Sequence, residues 1–120
     1  MVSSYIKGVN AESRAVEILV NSKYKILGRR VKTKYGEIDI LALKNNTVVA
    51  VEVKQRKTLD IARECITIRQ MRRISKALQL IISERNMLLE NYRIDVIILD
   101  EIGNYEYIIN AFSFETDTEF

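Results

Sequence analysis

The spacing of hydrophobic and polar positions along the chain predicts two helices and five strands. Apolar residues recur at helical intervals in residues 10–21 and 67–85, and Asn10 and Thr67 are the expected N-terminal caps of these helices. The predicted order is helix, three strands, helix, two strands, which is typical of an α/β domain. The predicted strands are apolar runs separated by polar residues, at 23–32, 36–44, 47–56, 92–99 and 105–112.

The length and charge of the chain favour a single domain with a polyanionic partner. We assign one hydrophobic core to residues 1–113 and an acidic tail to residues 114–120. All 19 Lys and Arg residues lie within residues 1–93, whereas six of the 16 acidic residues lie within residues 100–120. A basic body of this kind favours nucleic acid as the partner. No signal peptide or membrane-spanning apolar run is visible, so we expect a cytoplasmic protein without a membrane partner.

The residue types that are missing restrict the available chemistry. The chain has no histidine and one cysteine, which excludes Ser-His and Cys-His nucleophiles, histidine-ligated metals and cysteine zinc sites. Catalysis would therefore depend on carboxylates, lysine, tyrosine or a metal ion that they bind. Asp39 and Glu52 stand out among the carboxylates, because each interrupts a run that otherwise reads as buried strand, where an unpaired charge is costly.

A predicted hairpin brings these two carboxylates together. Asn45 and Asn46 tolerate the positive φ angles of a tight turn between the second and third strands. With both residues at the centre of the turn, Asp39 lies opposite Glu52. Opposed side chains have Cβ atoms about 5 Å apart. Two carboxylates this close repel each other unless a cation lies between them or one of them takes up a proton.

The same register places Glu37 opposite Lys54, on the face that carries Asp39 and Glu52. Oxygen ligands of this type suit Mg²⁺ or Mn²⁺, and a neighbouring lysine can orient water or stabilise charge in phosphodiester hydrolysis. The pattern therefore favours a metal site. The structural alternative is an ordinary cross-strand pair of solvent-facing residues. The opposite face is expected to carry the apolar side chains Ile38, Ile40, Val51 and Val53.

Asp39 and the sequence Glu52-x-Lys54 resemble the core motif of the PD-(D/E)XK nuclease superfamily, although Ile38 replaces the proline. Within that superfamily the chain is most similar to the YraN-like family of uncharacterised bacterial proteins. The resemblance implies a restriction-endonuclease-like fold, a three-layer α/β/α core with a mixed sheet of about five strands. It extends over nearly the whole chain, through GVNAESRAVEIL, ILGRRVKTKYGEIDILA, VVAVEVKQRK, TIRQMRRI and YRIDVIIL.

The resemblance also implies roles for individual residues. Asp39 and Glu52 would be metal ligands, with the carbonyl oxygen of Val53 as a third ligand. Lys54 would be the catalytic lysine. Glu12 matches the acid that archaeal Holliday-junction resolvases carry on their first helix, and the alternative is a first-turn acid that complements the helix dipole.

Basic residues flank the predicted site and would contact phosphates. They precede the motif strands, follow them, or lie on one face of the second helix, where Arg69 replaces the lysine usual in the family. The alternative for the helix is an ordinary solvated face. The predicted nucleic-acid contacts are Arg29, Arg30, Lys32, Arg56, Lys57, Arg69 and Arg73.

These observations predict a metal-dependent nuclease that hydrolyses phosphodiester bonds in DNA with Mg²⁺ or Mn²⁺. The likeness to junction resolvases points to branched or structured DNA as the substrate and to a homodimer. One alternative is a non-catalytic nucleic-acid-binding module of a larger DNA-processing complex, and another is a protein-interaction domain with a vestigial site. Outside the site, Gly36 is expected to form a turn, and Arg93 and Asp95 a structural ion pair.

Overall fold

The structure, a computed structural model, describes residues 4–87 and 91–112. The predicted order of elements is confirmed, with one additional short helix between the third and fourth strands. The predicted acidic tail at 114–120 lies outside the described residues. The elements are α1 (Ser4–Asn21), β1 (Lys25–Thr33), β2 (Gly36–Lys44), β3 (Thr47–Gln55), α2 (Leu59–Glu64), α3 (Ile68–Glu84), β4 (Asn91–Leu99) and β5 (Tyr105–Phe112).

The N-termini of α2 and α3 follow local capping chemistry. Thr67 caps α3 as predicted, because its hydroxyl accepts a hydrogen bond from the backbone N–H of Gln70 at 3.2 Å. Thr58 caps α2 in the same way. The prediction that Asn10 caps the first helix is wrong, because α1 begins at Ser4 and Asn10 lies inside it.

The five strands form one mixed sheet in the order β1-β2-β3-β4-β5. Neighbouring strands are antiparallel except for β3 and β4, which are parallel from Thr47–Asn91 to Gln55–Leu99. A parallel pair requires a crossover connection, which α2 and α3 provide. The carboxyl end of β3, which carries Glu52, therefore lies beside the start of this crossover.

Two apolar clusters cover the two faces of the sheet and give it an α/β/α arrangement. On one face α3 packs through residues spaced by three and four positions, including Met71, Ile74, Leu78 and Ile81. On the other face α1 packs through Ala11, Ala15, Ile18 and Leu19. Among the described helices, none is long and apolar enough to cross a membrane.

A buried carboxylate connects β4 to β5. Asp95 is fully buried and accepts hydrogen bonds from Arg93 Nε at 2.9 Å, the Tyr107 hydroxyl at 2.6 Å and the Asn110 backbone N–H at 2.9 Å. Burial and the hydrogen bond to Asp95 raise the pKa of the Tyr107 hydroxyl, which stays protonated. The predicted structural ion pair of Arg93 and Asp95 is confirmed, and it belongs to a fully satisfied network.

Candidate active site

The register of the β2–β3 hairpin agrees with the predicted turn. Asn45 has a φ of +54°, the left-handed conformation that asparagine tolerates. The pairs run from Lys44–Thr47 at the turn to Ile40–Val51. The predicted spacing is therefore confirmed over five consecutive pairs.

The pairing between the two strands ends at Ile40–Val51, one position before the acids. Beyond that pair, the side chain of Asp39 connects the two strands, because its Oδ2 accepts a hydrogen bond from the backbone N–H of Val53 at 2.9 Å. This bond brings Asp39 to the segment that carries Glu52, and the two carboxyl groups are themselves hydrogen-bonded.

The predicted cross-strand pair of Glu37 and Lys54 is wrong. The β2–β3 ladder ends at Ile40, before Glu37, and Glu37 pairs with Lys32 of β1 on the other side of the strand. Lys54 is half-buried on β3, and its charge lowers the pKa of Glu52, so it lies near that carboxyl group. The structural alternative of an ordinary Glu37–Lys54 pair is thereby removed.

One residue of the predicted apolar face lies on the wrong side of the sheet. Ile40, Val51 and Val53 pack in the cluster beneath α1, as expected, whereas Ile38 packs in the cluster beneath α3. The alternation reverses at Asp39, between Ile38 and Ile40, where β2 leaves its ladder with β3.

Glu52 is a buried carboxyl group, and one of its oxygen atoms has no hydrogen-bond partner among the described residues. Its side chain is 7% exposed, and the oxygen in question, Oε2, is buried. Burial raises the pKa of Glu52 to about 9, together with the hydrogen bond to Asp39 and the charge of Asp39. Lys54 and Arg73 lower the pKa but do not offset these effects. Without a bound cation the pair is therefore stabilised by a proton.

Arg73 joins helix α3 to this site. Its Nη1 donates hydrogen bonds to the carbonyl oxygens of Tyr35 at 3.1 Å and Glu37 at 3.2 Å. Its Nη2 lies 3.9 Å from Glu52 Oε2, which is too far for a hydrogen bond. Sequence reasoning assigned Arg73 only to nucleic-acid contact, because nothing in the spacing of residues indicates a bond to a turn that lies so far away along the chain.

Glu12 lies on the other side of the sheet. It is 8% exposed and forms a two-point ion pair with Arg30, with both nitrogen–oxygen distances at 3.1 Å. Since α1 begins at Ser4, the alternative of a first-turn acid is wrong. Within residues 4–87 and 91–112, no group of three or more Cys, Asp or Glu residues is placed to hold a metal ion. The structure therefore brings Asp39 and Glu52 together without Glu12.

The predicted phosphate-binding residues differ in their availability. Arg29 donates to the Ser13 hydroxyl at 3.2 Å, and so, like Arg30, it contacts α1. Lys32 lies on β1 and lines a groove of about 390 Å³ that also contains Lys34 and Arg85. The predicted contacts that are exposed are Arg29, Lys32, Arg56, Lys57 and Arg69.

Known proteins are similar in sequence to most of this chain. The model of a family described as Uncharacterised protein family UPF0102 matches residues 11–99. A UPF0102 protein of Azorhizobium caulinodans is 35% identical over 114 residues, covering 94% of this chain and 87% of the relative. One of Persephonella marina is 37% identical over 114 residues, covering 93% of this chain and 97% of the relative. These matches confirm the likeness to the YraN-like family. Its description assigns no activity.

Proposed function

We propose that this chain, which belongs to the Uncharacterised protein family UPF0102, is a metal-dependent nuclease that hydrolyses phosphodiester bonds in DNA. One observation carries the proposal: two carboxyl groups from neighbouring strands meet at the end of their ladder, and one keeps a buried oxygen without a partner. The α/β/α layers and the mixed sheet support a restriction-endonuclease-like fold of the PD-(D/E)XK superfamily.

The donor set suits a hard divalent cation. Glu52 Oε2 is an orphaned buried oxygen, and Asp39 supplies a second carboxylate, so both charges would be compensated by Mg²⁺ or Mn²⁺. The carbonyl oxygen of Val53 is the third ligand that we propose. When bound, the cation supplies charge stabilisation at the phosphate and a lowered pKa for a coordinated water.

Lys54 is the residue that we assign to the developing charge. It follows Glu52 by two positions on the same strand, and its charge acts on the Glu52 carboxyl group. An ammonium group at this point can orient the attacking water or stabilise a phosphate oxygen. Arg73 adds a second positive charge from α3, 3.9 Å from Glu52 Oε2.

Nucleic acid would reach this site along exposed basic residues. Arg56 and Lys57 directly follow β3, and Arg69 lies on the exposed side of α3, so all three can contact phosphates near the acid pair. Lys32 lies in the groove between β1 and α3. Branched or structured DNA is the substrate class that we propose.

A non-catalytic DNA-binding module is the second candidate. It is favoured by the arrangement of Glu12, whose charge is neutralised by Arg30, so that only two carboxylates meet at the site. Such a module would bind DNA in EDTA, without a metal ion, and its binding would weaken with salt.

A cleavage assay tests the proposal. Wild-type protein should cut at least one of single-stranded, duplex, flap and junction DNA in Mg²⁺ or Mn²⁺, and EDTA should stop the reaction. Asp39→Ala, Glu52→Ala and Lys54→Ala should each lower the rate by about a hundredfold or more. The matched controls Glu17→Ala and Lys25→Ala, exposed residues of α1 and β1, should cut at the wild-type rate. Equal cutting by all variants would reveal a contaminant and contradict the proposal.

A further inference from the structure

The first part of β2 is not paired with β3, although it carries one half of the acid pair. The β2–β3 pairs end at Ile40, so residues 36–38 pair only with β1, an edge strand of the sheet. The backbone N–H of Val53 donates a hydrogen bond to Asp39 and so joins this segment to β3 beyond the end of the ladder. The position of Asp39 relative to Glu52 therefore depends on contacts outside the sheet.

Arg73 supplies such a contact. Its Nη1 holds the two carbonyl oxygens on either side of Gly36, at 3.1 Å and 3.2 Å. Its Nη2 lies 3.9 Å from Glu52 Oε2. One guanidinium group thus connects α3, the turn before Asp39, and the second acid. The planar fork of arginine suits this task, because its donors are fixed relative to one another.

The turn is shaped to receive this guanidinium group. Gly36 has a φ of +109°, which side chains rarely adopt, and a Cβ atom there would lie 2.5 Å from Arg73 Nη1. Any side chain at position 36 would therefore displace the arginine. The two hydrogen bonds of Arg73 therefore depend on the absence of a side chain at Gly36.

We infer that Arg73 is a positioning residue: it fixes the turn of residues 35–37 to α3 and so keeps Asp39 beside Glu52. Because Nη1 is engaged by two carbonyl oxygens, the guanidinium group stays beyond hydrogen-bond distance of Glu52 Oε2. Glu52 Oε2 therefore stays unpaired within the described part of the chain and can bind a cation. Cation binding at Glu52 Oε2 rests on the proposed function, whereas the positioning of Asp39 does not require a metal.

Amide hydrogen exchange in metal-free protein tests the positioning directly. The Val53 N–H is protected by Asp39, so its exchange reports whether Asp39 is in place. In Arg73→Gln we expect the Val53 amide to exchange about tenfold faster than in wild type, relative to the Ala50 amide in the middle of β3. Arg73→Lys keeps the charge but not the fork, and should give an intermediate rate. The control Lys76→Gln changes an exposed residue one turn further along α3 and should leave Val53 unchanged.

A titration with Mn²⁺ alone tests the consequence for the site. Arg73→Gln removes a positive charge that repels the ion, so a purely electrostatic role would tighten binding. A positioning role predicts binding about tenfold weaker than in wild type and Lys76→Gln.

The outcomes separate this inference from the proposed function. Wild-type protein that binds no Mn²⁺ contradicts the proposed function, and the Val53 exchange rate then decides the role of Arg73 by itself. Val53 protection equal to wild type in Arg73→Gln overturns the positioning role, whatever the titration gives. Unchanged or tighter Mn²⁺ binding by that variant overturns its consequence for the cation site.

Discussion

The Asp39 carboxylate accepts a hydrogen bond of 2.9 Å from the backbone N–H of Val53, the residue that follows Glu52. This bond stands where the β2–β3 ladder has already ended. It explains how two acids can meet between strands that are no longer paired, and why their meeting point lies at the edge of a ladder rather than inside it. The apolar pairs beside this point fix its position.

Glu52→Gln should change how the stability of the metal-free protein depends on pH. The pKa of Glu52 is raised from 4.5 to about 9, so between these pH values the folded state holds a proton that the unfolded state lacks. The associated stability is fully present below pH 4.5 and is lost as the pH rises through about 9. We expect Glu52→Gln, which does not titrate, to gain about 4 kcal/mol over wild type between pH 5 and pH 8, since the slope is about 1.4 kcal/mol per pH unit.

Urea denaturation in EDTA at the two pH values measures this gain. Glu17→Gln, a change at an exposed acid of α1, provides the control and should track wild type. A constant difference between Glu52→Gln and wild type at both pH values would show that Glu52 is ionised in the folded protein.

Mn²⁺ should raise the thermal stability of the wild-type protein through Asp39 and Glu52. An ion that binds only the folded state stabilises it by about 2.7 kcal/mol at a hundred times its Kd. Asp39→Asn removes a ligand charge and should abolish most of the shift in melting temperature, measured by calorimetry. Asp60→Asn is the matched control, because the Asp60 side chain is 89% exposed on α2. An equal shift in Asp39→Asn would place the ion elsewhere.

Gly36→Ala should destabilise the protein through Arg73. The added Cβ would meet Nη1 at 2.5 Å in a backbone conformation that alanine disfavours. We expect a loss of about 2 kcal/mol in the free energy of unfolding. In an Arg73→Ala background the same change should cost about 1 kcal/mol less, because only the backbone strain remains.

Gly103→Ala is the control for that strain. Gly103 also has a positive φ, +102°, but a Cβ there would meet no atom within 4 Å. Its cost should be the same with or without Arg73. Additive effects of Gly36→Ala and Arg73→Ala would mean that the two residues are not in contact.

Tyr107→Phe should destabilise the β4–β5 pair. It removes the hydroxyl that donates to buried Asp95 at 2.6 Å and leaves that carboxylate short of a donor. A loss of about 1–3 kcal/mol is expected in urea denaturation. Tyr105→Phe, at an exposed position of the same strand, should cost less than about 0.5 kcal/mol. Equal losses would assign the effect to the strand rather than to the hydrogen bond.

The features that the sequence predicts correctly are those set by neighbouring residues. The Asn45 turn fixes the hairpin register, and Thr67 fixes the start of α3, because both act within a few positions. That register carries Asp39 and Glu52 to the end of the ladder, and the bond from the Val53 N–H to Asp39 completes their approach.

The features that were missed depend on short or distant interactions. Helix α2 has six residues, too few for a periodic signal. Ile38 changes face where β2 leaves its ladder with β3, a point that no alternation pattern marks. The bond from Arg73 to Tyr35 joins residues far apart in the chain and becomes visible only once α3 lies on the sheet.

Diffraction from crystals grown with Mn²⁺ tests the central claim most directly, because anomalous scattering locates the ion itself. We predict a peak about 2.0–2.3 Å from carboxylate oxygens of both Asp39 and Glu52, with Glu52 Oε2 as one ligand. The Asp39→Asn variant should lose this peak in the same crystal form. Wild-type crystals at millimolar Mn²⁺ with no peak between the two carboxylates would contradict the account.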